Sequence, residues 1–165
     1  MADEFKSPER VVNEGAPRMV VASAQRKRTF ALIKSGAVAR GQAPDIIKAI
    51  EAAGIKVADV KIFTPLSQAL AKALYAEHEG RPYFEGLIKS VTGEKGTYAL
   101  CLEGDDDVIQ RWRALMGPTN PVGAPKGTIR GDFGGEALPD NAVHGSDSEE
   151  AARHEIGLFF SSRSS

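Results

Sequence analysis

The sequence is short of the side chains that would place it in several common classes. It has one cysteine, Cys101, so no disulfide can close within the chain. No Cys/His cluster has the spacing of a structural zinc site. Cys101 lies in the apolar run Tyr98-Ala99-Leu100-Cys101-Leu102 and is expected to be a small buried hydrophobe in a strand rather than a reactive thiol. No apolar run approaches membrane-spanning length. These features predict a soluble, cytoplasmic protein of a reducing compartment, with no membrane partner. Formal net charge is −1, so no whole-chain field selects nucleic acid, and no sequence-specific nucleic acid is expected as a partner. Any phosphate binding has to come from locally placed Lys and Arg. There is no G-x-x-x-x-G-K-[ST] loop, no G-x-G-x-x-G turn and no H-R-D catalytic loop, which excludes a P-loop, a Rossmann crevice and a protein-kinase site.

What is present suits one compact domain. Hydrophobic residues make up 42% of the 165, enough for a real core. Residues 1–27 mix acids and bases with Pro8 and Pro17 and few large apolar side chains, and are expected to form a flexible extension. The domain is expected to run over 28–160, with a polar tail at 161–165.

The apolar period alternates along that domain. Thr29–Ile33 is predicted as a buried strand. Ile46, Ile47 and Ile50 recur at helical spacing from Pro44 to Ala53, where Gly54 can end the helix. Val57–Phe63 is predicted as a strand with apolar 58, 60 and 62 opposite polar 59 and 61. Ser67 can cap a helix running to about His78, which is expected to be a solvated helix end, and Pro82 fits the first turn of another through Val91. Thr97–Leu102 is apolar throughout, as a central strand is. Asp105, Asp106 and Asp107 precede a helix through Val108, Ile109, Trp112 and Leu115. Residues 116–135 form a long Pro- and Gly-rich loop, and a loop of that length inside a domain is usually functional. A short strand then ends at His144, and a last helix follows. The order β-α-β-α-α-β-α-loop-β-α predicts an α/β (α+β) sandwich with helices over a four-stranded sheet.

The most informative stretch is Asn141-Ala142-Val143-His144-Gly145-Ser146-Asp147-Ser148. It places one imidazole between a strand end and a helix start, near backbone N–H groups that attract phosphate. Ser146 with Glu149, or Asp147 with Glu150, has the spacing of a capping box. A histidine so held suits a nucleophile that accepts a phosphoryl group, although a structural role fits the spacing equally well. His154 is mid-helix beside Arg153 and Glu155 and is expected at the surface. Lys34 at the end of the first strand, Arg113 before the loop and Arg130 within it could all donate to phosphate oxygens. Gly131, after Arg130, would let backbone approach a ligand.

Taken together, these motifs resemble the nucleoside diphosphate kinase family. The likeness covers about residues 28–160 and rests on Asn141-x-x-His144-Gly145-Ser146-Asp147-Ser148 with Glu155-Ile156, on Thr119-Asn120-Pro121, on Gly127-Thr128-Ile129-Arg130-Gly131-Asp132-Phe133, and on Arg81-Pro82-Tyr83-Phe84 after Tyr75. The resemblance implies a ferredoxin-like βαββαβ core with an antiparallel sheet. It also implies ping-pong transfer of a terminal phosphate from a nucleoside triphosphate, usually ATP, to a nucleoside diphosphate through phosphorylated His144. Lys34 and Tyr75 would lie beside the transferred group. Arg81, Arg113 and Thr119 would hold the distal phosphates, with Arg130 near the terminal one. Asn141 would contact the sugar and Tyr83 would stack on the base. Glu155, supported by Ser146, would fix the ring of His144. Mg2+ would ride on the phosphates, with Asp147 reaching it through water. A homo-oligomer is implied, a hexamer more than a tetramer.

The sequence departs from the family pattern after Lys34, where Pro-Asp-Gly is replaced by Ser35-Gly36-Ala37, so that a carboxylate and a stiff proline are gone. One residue is added before Asn141, and Pro125-Lys126 reverses a frequent order. The alternative reading is a catalytically weakened member serving as a regulatory module that binds nucleotide or single-stranded nucleic acid. Such a module would want aromatic and basic residues interleaved on an open sheet face.

Overall fold

A computed structural model describes residues 26–161. Four strands, β1 (Lys27–Ile33), β2 (Lys56–Phe63), β3 (Thr97–Gly104) and β4 (Val143–Gly145), form one sheet in the order β2-β3-β1-β4. Every neighbouring pair is antiparallel. The helices are α1 (Ser35–Ala39), α2 (Ala43–Ala52), α3 (Gln68–Leu74), α4 (Phe84–Lys89), α5 (Val108–Met116), α6 (Ile129–Phe133) and α7 (Glu149–Phe160). This is the predicted ferredoxin-like sandwich.

β1 is buried on both faces because successive side chains serve two cores. Ala31 and Ile33 join Leu100, Leu102, Ile46, Ile50 and Trp112 beneath α2 and α5. Phe30 and Leu32 join Leu74, Phe84 and Phe159 beneath α3, α4 and α7. Trp112, Phe30 and Phe159 are fully buried, so these aromatics do not form an exposed stacking face. Gly54 does what its position predicts. It takes φ +86° just past α2, and its N–H bonds the carbonyl of Glu51.

The structure corrects several sequence expectations. β1 starts at Lys27, inside the stretch expected to form the N-terminal extension; residues 1–25 of that stretch and tail residues 162–165 lie outside the described residues. The stripe of residues 58, 60 and 62 is not a buried face. Val60 is 40% and Ile62 is 55% exposed, because β2 is an edge strand whose register shifts between Val57 and Asp59. The helix from Ser67 ends at Leu74, and a separate 3₁₀ turn spans Ala76–His78. The last helix begins later than either capping box requires. Ser148 is the cap, accepting from the Ala151 N–H at 3.0 Å.

Two short helices were not foreseen. α1 follows Lys34 directly. α6 lies inside the long loop, where Thr128 accepts from the Gly131 N–H at 3.0 Å and Asp132 accepts from the Gly127 N–H at 3.1 Å. Gly131 is also explained differently. A Cβ there would overlap the carbonyl oxygen of Pro125, so the glycine makes room for the loop's own backbone rather than for a ligand. Replacing Gly131 by Ala should therefore destabilise the fold by about 1–3 kcal/mol in urea unfolding, the usual range for overpacking against atoms that cannot retreat.

Candidate functional site

The end of β1, the segment from Pro139 to Gly145 and the loop around α6 meet in a cleft of about 860 Å³. Of the residues singled out from sequence, Lys34, Tyr75, Tyr83, Arg113, Thr119, Arg130, Asn141, His144 and Asp147 line it. Arg81 is exposed and is not among the lining residues. Ser146 and Glu155 are buried behind His144.

β4 sets the direction of the imidazole. His144 faces Leu32 across the β1–β4 ladder and so shares its face. Its ring stands edge-on to Tyr75, 5.4 Å between centroids, and 5.9 Å from Phe30. His144 Nε2 lies 3.0 Å from Glu155 Oε1, on α7. Ser146 Oγ donates to the same oxygen at 2.6 Å. A carboxylate accepting from Nε2–H leaves the Nδ1 lone pair as the nucleophilic one. The side chain of His144 is 17% exposed, open on the cleft side. Gly145 is required next to it, since a Cβ there would come within 2.5 Å of Trp112 Nε1 and 2.6 Å of Met116 Cε.

Two cations are held by carbonyl oxygens. Lys34 is 4% exposed and donates from Nζ to the Pro139 carbonyl at 3.1 Å. Arg130 donates to the carbonyls of Gly117, Asn141 and Val143 at 3.0, 3.3 and 2.9 Å. Among the described residues neither has a carboxylate within ion-pairing distance. Burial, with the charge of Arg130 beside it, pushes the Lys34 ammonium down to about 7, while Asp140 opposes the shift. Burial also lowers Arg130 to about 10, so it stays a cation at neutral pH. Burial, then Glu155, raises the Tyr75 phenol well above its ordinary range, so Tyr75 enters the site as a neutral hydroxyl. That hydroxyl and Asn141 Oδ1 are buried and have no hydrogen-bond partner among the described residues. Asn141 Nδ2 is tied to the Thr119 carbonyl at 2.9 Å, which aims its free oxygen.

The backbone before His144 is tightly turned. The Asn141 N–H bonds the Pro139 carbonyl and the Val143 N–H bonds the Asn141 carbonyl, two successive three-residue turns. Ala142, at the centre of the second, has φ +72°, the left-handed region that non-glycine residues rarely adopt.

One lining residue was not singled out from sequence. His78 does end a helix, the 3₁₀ turn, and is partly exposed, but it also lies on the cleft wall with its Nδ1 2.8 Å from the Tyr83 hydroxyl. No sequence spacing signals this pair, because it depends on the 3₁₀ turn between α3 and α4.

Among the described residues no group of three His, Cys, Asp or Glu could cage a metal ion. A divalent ion held chiefly by phosphate oxygens and water needs only one nearby carboxylate, and exposed Asp147 at the cleft supplies one. No helix among the described residues is long and apolar enough to cross a membrane.

Topology and site together define a class: a ferredoxin-like protein whose cleft, lined by Lys34, Arg113 and Arg130, ends on a carboxylate-oriented imidazole. The comparisons agree. The sequence model of the nucleoside diphosphate kinase family matches residues 27–164. A nucleoside diphosphate kinase of Desulfovibrio desulfuricans is 44% identical over 132 residues, 80% of this chain and 92% of that protein. The crystal structure of the Aquifex aeolicus nucleoside diphosphate kinase is similar at TM-score 0.77 and 31% identity, over 84% of this chain and 98% of that one. The halophilic nucleoside diphosphate kinase of Halobacterium salinarum in complex with CDP is similar at TM-score 0.76 and 40% identity, over 84% of this chain and 90% of that one. The chain belongs to the nucleoside diphosphate kinase family. It is a phosphotransferase that acts on nucleotides and, as nucleotide kinases generally do, works with a divalent metal ion.

The lowered Lys34 has a stability consequence. A buried cation is most unfavourable where it is fully charged, below about pH 7, and the penalty fades as pH rises towards the unfolded value of 10.5. Lys34→Met should therefore be more stable than the parent by about 2–4 kcal/mol in urea unfolding at pH 6, with the gain shrinking as pH rises to 10.

Proposed function

We propose that the chain transfers the terminal phosphate of a nucleoside triphosphate, usually ATP, to a nucleoside diphosphate by a ping-pong route through His144. The observation that carries the reading is the Glu155–His144 hydrogen bond behind a cleft lined by Lys34, Arg113 and Arg130. In the first half-reaction the Nδ1 lone pair of His144 attacks the γ-phosphorus. The Nδ1–P bond forms, the bond from phosphorus to the β-phosphate oxygen breaks, and the diphosphate leaves with that electron pair. A second nucleoside diphosphate reverses these steps. One site serves both nucleotides in turn.

The protein's part is positioning and placement of positive charge. Lys34 and the Tyr75 hydroxyl stand beside the transferred group, and Arg130 beside the terminal phosphate. Arg113, Thr119 and Arg81, the last from the exposed rim, hold the distal phosphates. The Oδ1 of Asn141 accepts from a sugar hydroxyl, which supplies the partner that this buried atom lacks among the described residues. Tyr83, 51% exposed and steadied by His78, offers one stacking face to the base. A single face tolerates different bases. Mg2+ on the phosphates neutralises charge, with Asp147 reaching it through water.

The assembly reading is a homo-oligomer, a hexamer rather than a tetramer. Apolar Val60 and Ile62 on the β2 edge and exposed Val122 in the long loop are the surfaces that favour self-association. A cytoplasmic setting suits the single, buried Cys101.

Incubation with γ-labelled ATP and Mg2+ should label His144, and an added nucleoside diphosphate should remove the label. His144→Ala should take up none. Label that stays on the protein in the presence of diphosphate would refute the transfer. Tyr83→Ala should raise KM for both nucleotides about tenfold with a smaller change in kcat, the loss of one stacking contact.

A further inference from the structure

Asp140 has no role in the assignments above, yet it occupies the junction of the two cation holders. Its carboxylate accepts from both Nη atoms of Arg40 at 2.6 and 3.2 Å. The rest of that guanidinium is used as well, donating to the Phe133 carbonyl at 2.8 Å and to Gln42 Oε1 at 3.1 Å. Two glycines make room for the carboxylate. A Cβ on Gly36 would lie 2.5 Å from Asp140 Oδ1, and one on Gly135 would overlap the same group. Asp140 therefore lies against the first turn of α1, the helix that begins directly after Lys34.

Its backbone is held with equal care. The Asp140 N–H donates to the Ala137 carbonyl at 3.0 Å and its carbonyl accepts from the Gly135 N–H at 2.7 Å. On one side the Pro139 carbonyl receives the Lys34 ammonium, and on the other the Asn141 carbonyl receives Arg130. Lys34 is thus gripped from two directions: by the helix that Arg40 ends and by the turn that Arg40 clamps. An ion pair this exposed adds little stability by itself, so its geometry is the better account of it.

We propose that Asp140, clamped by Arg40, is a positioning residue for phosphoryl transfer that locks the 139–141 turn so that its carbonyls aim Lys34 and Arg130 into the cleft. The carboxylate also acts on Lys34 through space. Burial and Arg130 disfavour the ammonium and Asp140 favours it; the other titratable groups lining the same cleft are Tyr75, Glu77, His78, Tyr83, Arg113, His144 and Asp147. Only the charged amine holds phosphate well. Removing the Asp140 charge should shift the pH at which Lys34 fails downwards.

This inference rests on the reading of Lys34 as a phosphate-holding group, and the test separates the two. His144 labelling by γ-labelled ATP and Mg2+ is followed by rapid quench from pH 6 to 9 in the full chain. Asp140→Asn should slow the second-order rate about tenfold at pH 8 and move the alkaline limb about half a unit or more to lower pH. Gly36→Asp combined with Asp140→Ala returns a carboxylate to the same space from the other side and should restore both the rate and the limb. An Asp140→Asn protein with the parent's rate and profile would overturn the proposal. So would a slowed rate with an unmoved limb, which would mean loop support only, or a folded double variant that stays slow and shifted. Lys34→Met is run in parallel. If it labels at the parent's rate, the reading of Lys34 itself fails; if it is slow while Asp140→Asn is not, only the present inference fails.

Discussion

Lys34, buried, and Arg130, half-buried, have carbonyl oxygens as their partners, and among the described residues neither has a carboxylate within ion-pairing distance. The rest of the site depends on that choice. A buried cation facing a carboxylate is neutralised, and an incoming phosphate would have to displace the partner. A carbonyl dipole satisfies the donor hydrogen while leaving the charge largely intact. The cleft therefore presents positive charge that is oriented but not quenched. The cost is visible in the ammonium of Lys34, driven down to about 7 by burial and by Arg130. In the proposed function a polyphosphate supplies the counter-charge that the fold withholds, so that binding and relief of this destabilisation are one event.

Charge alone does not make a phosphoryl acceptor; direction does. The ring of His144 is fixed at one nitrogen by Glu155 and against one edge by Tyr75. Glu155 is held in turn by Ser146, so one carboxylate oxygen anchors two side chains. Gly145 lets Trp112 and Met116 close up behind the strand, which leaves β4 no room to retreat from the core. The imidazole is thus held from several sides. Tyr83, the base platform of the proposed function, stands exposed just before α4. On that reading the group that exchanges the phosphoryl is the fixed one, and the group that meets different bases is the open one.

The sequence revealed most where chemistry and local structure coincide. The run from Asn141 to Ser148 marks a strand end, a glycine constraint and a helix start within eight positions, and all three are present, although the cap falls on Ser148. The two-core sheet was legible from the unbroken apolar runs of β1 and β3. Legibility failed where partners come from far away. Gly36 registers in the sequence as a lost carboxylate; only the folded chain shows Asp140, more than a hundred positions on, lying against it. His78 is the helix end its position predicts, but its contact with Tyr83 depends on how residues 79–82 turn, which no spacing signals. Val60 and Ile62 alternate as a buried face would, and periodicity cannot tell a face covered by this chain's own helices from one left open at a sheet edge. α6 is a different case. Thr128 and Asp132 carried a reciprocal capping signal that the glycines and prolines around them obscured.

The stretch leading into β4 divides its carbonyls between the sheet and the cations. The Ala142 carbonyl accepts from the backbone N–H of Lys34 at 2.8 Å, continuing the pairing with β1. The oxygens of Pro139, Asn141 and Val143 receive the side chains of Lys34 and Arg130. Two three-residue turns, the second with Ala142 at positive φ, shape the segment. The short strand from Val143 to Gly145 then fixes the imidazole against Leu32. An edge strand this short is also a poor template for pairing with another chain. The other edge, β2, is long and carries exposed apolar side chains. The sheet therefore has one edge given over to the site and one edge free for self-association, and a single stretch of backbone sets the first of these while also holding the charge.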